Sequence, residues 1–389
     1  MKSSPPTIVI APDSFKESLS SVSAAQAMAQ GVKAAFPQAR IDCVPMADGG
    51  EGTVQALVWA TEGTYCEELV HDPLGRPTEV VFGLLGSGDC AVIEMAAASG
   101  LALVPADKRN PLITSTRGTG ELILAALKAG VSRIIMGIGG SATIDGGTGM
   151  ARALGVRFLD AAGRELPAGG GSLTQLAIID ITGLDPRIRD VQIDVACDVN
   201  NPLTGPNGAA HVFGPQKGAT PAMVEQLDHG LARLGKLIAE QLGKEVAQTP
   251  GSGAAGGLGA ALMAFLNGRL TSGVDLVIEA VNLRERLTGV DLCLTGEGKL
   301  DFQSASGKAV MGVGRLAKSM NVPVIVLAGT IGSGAERILD QGIVSYHAIT
   351  PDSMSLSEAI ERTAELLAQK TQSVVRDFFD QSKKAKRGE

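Results

Sequence analysis

Thr7-Ile8-Val9-Ile10-Ala11-Pro12-Asp13-Ser14-Phe15-Lys16-Glu17-Ser18 sets the fold class of this chain. Its first five residues form an apolar, β-branched run, too short for a helix and closed by Pro12, which predicts a buried strand. A helical pattern follows over 21–36 and stops at Pro37. Residues 41–45 predict a second strand, and 51–62 a second helix closed by Gly63, the residue that most easily takes a left-handed cap. The far end repeats the alternation, with strands predicted at 290–294, 323–327 and 345–349 and helices at 307–320, 333–341 and 357–379. Strand–helix alternation at both ends is the pattern of an α/β, doubly wound parallel sheet.

The middle of the chain is organised differently. Hairpin-like runs at 65–71, 78–85 and 90–95 are followed by long glycine-dense loops. The two ends, 1–64 and 286–389, are each too small to be comfortable alone. They are therefore expected to form one discontinuous domain, interrupted by a second α/β domain over 65–285. With strand order 2-1-3-4-5, ligands bind outside the carboxyl ends of the strands, where the order reverses.

Composition removes several classes. The chain has 389 residues, 34 Lys+Arg against 41 Asp+Glu, and a net charge of −7. An acidic chain is a poor nucleic-acid binder, and the basic run Lys383, Lys384, Lys386, Arg387 reads as a solvated end. Charged residues make up 19% and hydrophobic ones 44%, too apolar for a disordered chain, and no run approaches a membrane span. Five scattered cysteines without a CxxC pair read as small buried hydrophobes in a reducing compartment, so a cytoplasmic protein is expected. The four histidines lack metal-ligand spacing. Glycine is the outlier: 50 residues, roughly 13% against an average near 7%.

Much of that glycine lies in loops that also carry charge. Asp13, Ser14 and Lys16 follow the first strand. Ala47-Asp48-Gly49-Gly50-Glu51-Gly52-Thr53 follows the second, and Thr295-Gly296-Glu297-Gly298-Lys299-Leu300-Asp301-Phe302-Gln303 follows 290–294. Helix capping explains one such carboxylate, but three loops on one sheet edge suit a magnesium–phosphate site. Mg²⁺ binds through one or two carboxylates plus phosphate oxygens, while helix N-termini and lysines such as Lys308 neutralise phosphate. Two further loops, 137–149 and 250–259, are rich enough in glycine for backbone N–H groups to approach an anion, or for tight packing. Asp198, leaving a strand beside Asn200, Asn201 and Pro202, is either a turn former or an active-site carboxylate.

Two motifs imitate known phosphate loops. Gly137-x-Gly139-x-x-Ala142 with Asp160 resembles a dinucleotide fingerprint, which keeps a nicotinamide-dependent oxidoreductase of a small hydroxy acid as an alternative. Against it, Gly146, Gly147 and Gly149 fall where the phosphate-binding helix should begin. Gly230-x-x-x-x-Gly235-Lys236 resembles a Walker A loop but continues with Leu237 inside a helical run. A non-catalytic two-domain binding protein is the other alternative.

Taken together, the strings at 11–16, 47–53, 94–100, 117–121, 137–145, 197–203, 250–257 and 295–303 resemble the type I glycerate kinases, the bacterial glycerate 2-kinase family. Ile144 stands where that family commonly has Asn, and Ala309 where it commonly has Pro. The resemblance implies a flavodoxin-like domain interrupted by one resembling restriction endonucleases. It also implies ATP- and Mg²⁺-dependent phosphorylation of D-glycerate to 2-phosphoglycerate, by a protein that needs no nucleic acid or membrane and is a possible homodimer. On that reading Lys16 and Lys308 neutralise phosphate or substrate carboxylate, and Asp13, Ser14 and Gln303 bind substrate. Gly137, Gly139, Gly140, Ser141 and Gly296 bind the nucleotide, and Asp48, Glu51 and Glu297 hold Mg²⁺. Asp198 and Asp301 are the two candidate general bases.

Overall fold

A computed structural model describes residues 5–301 and 309–387. Its strands, in chain order, are β1 (Thr7–Ile10), β2 (Arg40–Cys43), β3 (Thr64–His71), β4 (Pro77–Leu84), β5 (Cys90–Glu94), β6 (Arg133–Gly137) and β7 (Arg157–Leu159). They continue with β8 (Ile178–Asp180), β9 (Gln192–Ala196), β10 (Arg269–Thr271), β11 (Leu292–Leu300), β12 (Val324–Ile331) and β13 (Ile343–Ala348). The chain divides into two compact units. One comprises Met1–Asp48, Gln55–Thr61 and Val277–Glu389, and the other Gly49–Val54 and Glu62–Leu276.

The first unit holds a five-stranded sheet in the order β13-β12-β11-β1-β2, with every pairing parallel. Counted along the chain within this sheet, that is the order 2-1-3-4-5, the condition on which the ligand edge was placed. The helix Ser21–Ala35 starts where the Ser20 hydroxyl accepts from the Ser23 N–H, satisfying a donor that the helix itself cannot. It buries Ala24, Ala25, Met28 and Val32 against a core of Ile8, Ile10, Leu292, Leu294 and Leu327. Gly31 lets it approach the helix Thr363–Arg387 so closely that a methyl there would strike the Ala368 carbonyl.

The second unit holds a six-stranded mixed sheet, β10-β9-β6-β5-β4-β3. Its β10, β9, β6 and β5 run parallel, and β4 and β3 extend it as an antiparallel hairpin. The long helix Pro221–Leu242 is bounded by Thr220, whose hydroxyl accepts from Met223 N–H, and by left-handed Gly243.

Several expected boundaries shift. The run 290–294 was expected to give way to a loop, yet β11 continues to Leu300. Its neighbour β12 extends to Ile331 and keeps pairing, with Gly296 opposite Leu327 and Leu300 opposite Ile331. The expected helix 333–341 is a 3-10 segment, Ala335–Gln341, and the expected helix 357–379 is two helices, Leu356–Glu361 and Thr363–Arg387.

Both decoy motifs are resolved by topology. After β6 and the short helix Thr148–Ala153, β7 pairs antiparallel with β8, outside the six-stranded sheet. Asp160 accepts from Ala162 N–H and from the Arg164 N–H and Nε in a local turn. The parallel unit that a dinucleotide fingerprint requires is therefore not formed at this position. Gly230 and Gly235 lie inside the helix Pro221–Leu242, where no phosphate loop exists.

Candidate active site

In the first unit, the loop after β1 rides along β11. Ala11 N–H donates to the Leu294 carbonyl and Asp13 N–H to the Gly296 carbonyl, at 2.7 and 2.9 Å, while Thr295 Oγ1 donates to the Ala11 carbonyl at 2.7 Å. Met46 N–H reaches the Pro12 carbonyl at 2.8 Å, which brings the end of β2 alongside. Asp13 thus collects carboxylate neighbours from both sides. Burial first, then the charges of Asp48 and Glu297, push its pKa up to about 7. Ser14 N–H, donating to Asp13 Oδ1 at 2.6 Å, and the exposed Lys16 ammonium oppose that rise. Glu297 is itself buried, at 6% exposure.

Gly296 lies within β11, and a methyl there would strike the Leu327 carbonyl, so strand packing alone already requires a glycine at this position. Asp301 follows β11 and pairs with Lys299 at 3.2 Å. Gln303 and Lys308 lie outside the described residues.

In the second unit, Gly49–Val54 is held by two contacts. The Gly137 α-carbon faces the Gly49 carbonyl with no room for a methyl. The Glu94 carboxylate, at the end of β5, accepts from Val54 N–H at 2.8 Å and from the Gly52 and Thr53 N–H groups. Burial and the charge of exposed Glu51 raise the Glu94 pKa against those bonds. Glu51 therefore sits in the second unit, whereas Asp48 and Glu297, the other two expected metal ligands, sit in the first.

The glycine loops divide by use. In 137–149, methyls on Gly137, Gly146, Gly147 and Gly149 would strike Gly49, Leu234, Ala261 and Ser115 respectively, so these glycines serve close packing. Gly139 and Gly140 are exposed; a methyl on Gly139 would meet only the Gly50 α-carbon, at 3.9 Å. In 250–259, Gly253, Gly256 and Gly259 press against the carbonyls of Pro202, Thr143 and Gly251, and the packing reading holds for these three. Beside the first loop, Lys217 Nζ donates to Ser141 Oγ at 2.5 Å and to the Thr143 carbonyl at 2.8 Å. Asp198 is exposed just beyond β9, and its Oδ1 accepts from Gly273 N–H at 3.1 Å.

The conserved pattern of the glycerate kinase family matches residues 8–379. The chain belongs to the glycerate kinase family. A glycerate kinase of Bacillus subtilis (strain 168) is 54% identical over 360 residues, spanning 92% of this chain and 94% of that protein. A glycerate 2-kinase of Escherichia coli (strain K12) is 53% identical over 342 residues, 88% of each. Among solved structures, a protein described as glycerate kinase 2 from Salmonella typhimurium LT2 superposes with a TM-score of 0.91 at 46% identity, covering 97% of this chain and 100% of that one.

A kinase family raises the question of Mg²⁺. Among the described residues, no group of three or more His, Cys, Asp or Glu forms a ready metal cage. Mg²⁺ keeps waters and binds through one or two carboxylates with substrate phosphates. Asp13, Asp48 and Glu297 offer only hard oxygen donors, and their mutual repulsion is the kind a cation relieves. Three residues of this glycerate kinase fold escaped the sequence reading as site groups: Glu94, Asp145 and Lys217. Glu94 carried a signal, an acidic residue leaving an apolar strand, the same one that drew attention to Asp198. Lys217 carried none, because burial of one lysine in Phe213-Gly214-Pro215-Gln216-Lys217-Gly218 is decided by distant segments.

Proposed function

We propose that this protein transfers the γ-phosphoryl group of ATP to D-glycerate, giving 2-phosphoglycerate and ADP with Mg²⁺ as cofactor. The observation that carries the reading is Asp13 set among Asp48, Glu297 and Lys16 at the carboxyl edge of a parallel sheet, in a chain of the glycerate kinase family. Carboxylates and a lysine gathered there suit phosphate chemistry, in which catalysis is mostly positioning and charge stabilisation. Charge neutralisation on the phosphoryl group is what bound Mg²⁺ would supply. Asp48 and Glu297 would hold it, directly or through water, with Glu51 the remaining candidate ligand.

Lys16 neutralises a phosphate or the glycerate carboxylate, with Asp13 and Ser14 nearby to bind substrate. The exposed Gly139–Gly140 stretch and Ser141 approach the nucleotide phosphates. Asp198 takes the proton of the glycerate hydroxyl. Asp301 is the second base candidate, its carboxylate already engaged with the Lys299 ammonium. The mixed sheet of the second unit, parallel strands with an antiparallel hairpin at one edge, supports a likeness of that unit to restriction endonucleases.

A coupled ADP-release assay with D-glycerate, L-glycerate and other hydroxy acids tests the reading, with phosphorus NMR to place the phosphate. ADP release with D-glycerate and phosphate on the second carbon is expected. No ADP release with any acid overturns the kinase reading, and phosphate on the third carbon overturns the regiochemistry.

A further inference from the structure

Lys217 is 2% exposed, and its ammonium meets neutral oxygens, Ser141 Oγ at 2.5 Å and the Thr143 carbonyl at 2.8 Å, with the Phe213 ring centroid 6.0 Å away. Lysine is almost never buried this fully unless paired. The nearby carboxylate, Asp145, is wholly buried and already accepts from Thr116 N–H and Oγ1, Gly147 N–H and Gly149 N–H, at 2.8 to 3.1 Å. A positive charge is thus buried directly behind a turn whose other glycines are consumed by packing and whose Gly139 and Gly140 stay exposed.

The hydroxyl of Ser141 has one proton and two lone pairs. Lys217 occupies a lone pair, so the Ser141 proton is directed elsewhere, as a donor polarised by the ammonium behind it. We propose that Lys217 is a positioning residue for an oxyanion bound at Gly139, Gly140 and Ser141, fixing the Ser141 hydroxyl as a donor and setting positive charge behind the turn. The ligand class, a phosphate or carboxylate oxyanion, rests on the kinase reading above.

The electrostatics agree. Burial lowers the Lys217 pKa from 10.5 to about 7, with the Asp145 charge opposing. An anion arriving at the turn favours the charged ammonium, so anion binding and protonation of Lys217 reinforce each other. Other titratable groups on the packed segments are His211, on the preceding helix, and Arg109. The Arg109 backbone lies against Gly218, and its guanidinium Nε donates to the Val104 carbonyl at 3.5 Å.

The test compares wild type with Lys217→Met and Ser141→Ala between about pH 6 and about pH 8.5, a window spanning the Lys217 pKa. KM for ATP and for glycerate, and the rise in melting temperature given by tripolyphosphate, are measured on each. At the acid end Lys217→Met should raise KM for one of the two substrates about tenfold, the scale of one charge-assisted hydrogen bond. Which KM rises identifies the oxyanion as phosphate or carboxylate. The ratio of mutant to wild-type KM should fall towards one at the alkaline end, where wild-type Lys217 is neutral. A merely structural lysine gives a ratio independent of pH, and that outcome, or unchanged KM in a folded variant, overturns the proposal. If Lys217→Met does not fold, Ser141→Ala decides: a several-fold rise in the KM of one substrate supports the proposal, and unchanged KM overturns it. Should wild type release no ADP, the kinase reading fails separately. Tripolyphosphate protection at acid pH that Ser141→Ala loses then supports the oxyanion site, and equal or absent protection overturns it.

Discussion

The α-carbon of Gly137 faces the carbonyl of Gly49 so closely that a methyl group would take the oxygen's place. The end of β6 and the loop Gly49–Val54 therefore meet backbone to backbone. Gly137→Ala should force them apart and destabilise by about 1–3 kcal/mol, the usual scale of overpacking. Gly139→Ala has room and should leave the melting temperature unchanged, while raising KM for ATP if phosphate approaches that stretch. Thermal unfolding and steady-state kinetics on the two variants separate packing glycines from binding ones. A large loss of stability in Gly139→Ala would contradict this division.

Asp13 makes stability depend on pH. Its pKa rises on folding from 3.8 to about 7. The contribution is complete below the unfolded value and is lost as pH climbs through about 7. Asp13→Asn removes a carboxylate that would otherwise ionise against Asp48 and Glu297. The variant should gain melting temperature relative to wild type as pH rises from about 5 to about 8, by several degrees. A difference that stays constant across this range would remove the repulsion argument.

The same crowding predicts a response to Mg²⁺. Added Mg²⁺ should stabilise wild type more at about pH 8 than at about pH 5, because cation binding needs ionised carboxylates. Glu297→Gln should shrink that increment, whereas Glu51→Gln, in the other unit, should leave most of it. Calorimetry or thermal shift with Mg²⁺ alone measures this without turnover. Equal increments in wild type and Glu297→Gln would remove Glu297 from the metal set.

The strands of the first sheet were legible because each is a short apolar run framed by helix signals; parallel connection leaves few orders open, and 2-1-3-4-5 is the one formed. The stretch Thr295-Gly296-Glu297-Gly298-Lys299 was not. Locally it reads as a polar glycine turn, and only the neighbouring β12, running on to Ile331, makes it strand. The glycines of 250–259 show the same limit, since the carbonyls of Pro202 and Thr143 that need the missing Cβ lie more than forty residues away in sequence. Candidate charges next to predicted strand ends were legible. Lys217 was not, because no local pattern distinguishes a buried lysine from an exposed one.

Glu94 holds Gly49–Val54 by accepting from the Val54, Gly52 and Thr53 N–H groups. Glu94→Ala leaves the Val54 and Gly52 N–H groups at a helix start without the Glu94 acceptor, while Thr53 N–H keeps the Gly50 carbonyl, and should cost about 1–3 kcal/mol. Glu94→Gln keeps one acceptor oxygen and should recover part of the loss. Activity should follow the same order, because Asp48 immediately precedes the loop and Glu51 lies within it. Unfolding midpoints and kcat of the pair check this, and an inactive Glu94→Gln of wild-type stability would instead point to a direct chemical role.

Asp198 and Asp301 compete for the role of general base, and two isosteric variants separate them. Asn at 198 keeps an oxygen for the Gly273 N–H, now 3.1 Å from Asp198 Oδ1, so Asp198→Asn should keep the wild-type melting temperature. It removes a proton acceptor from an exposed strand end. The turnover number should fall at least about 100-fold, the scale of general-base catalysis, with KM little changed. Asp301→Asn breaks the pair with Lys299, a partly exposed ion pair worth at most about 1 kcal/mol, and should reduce kcat far less. If Asp301→Asn is the crippled enzyme and Asp198→Asn turns over normally, the proton leaves through the first unit and the base assignment reverses.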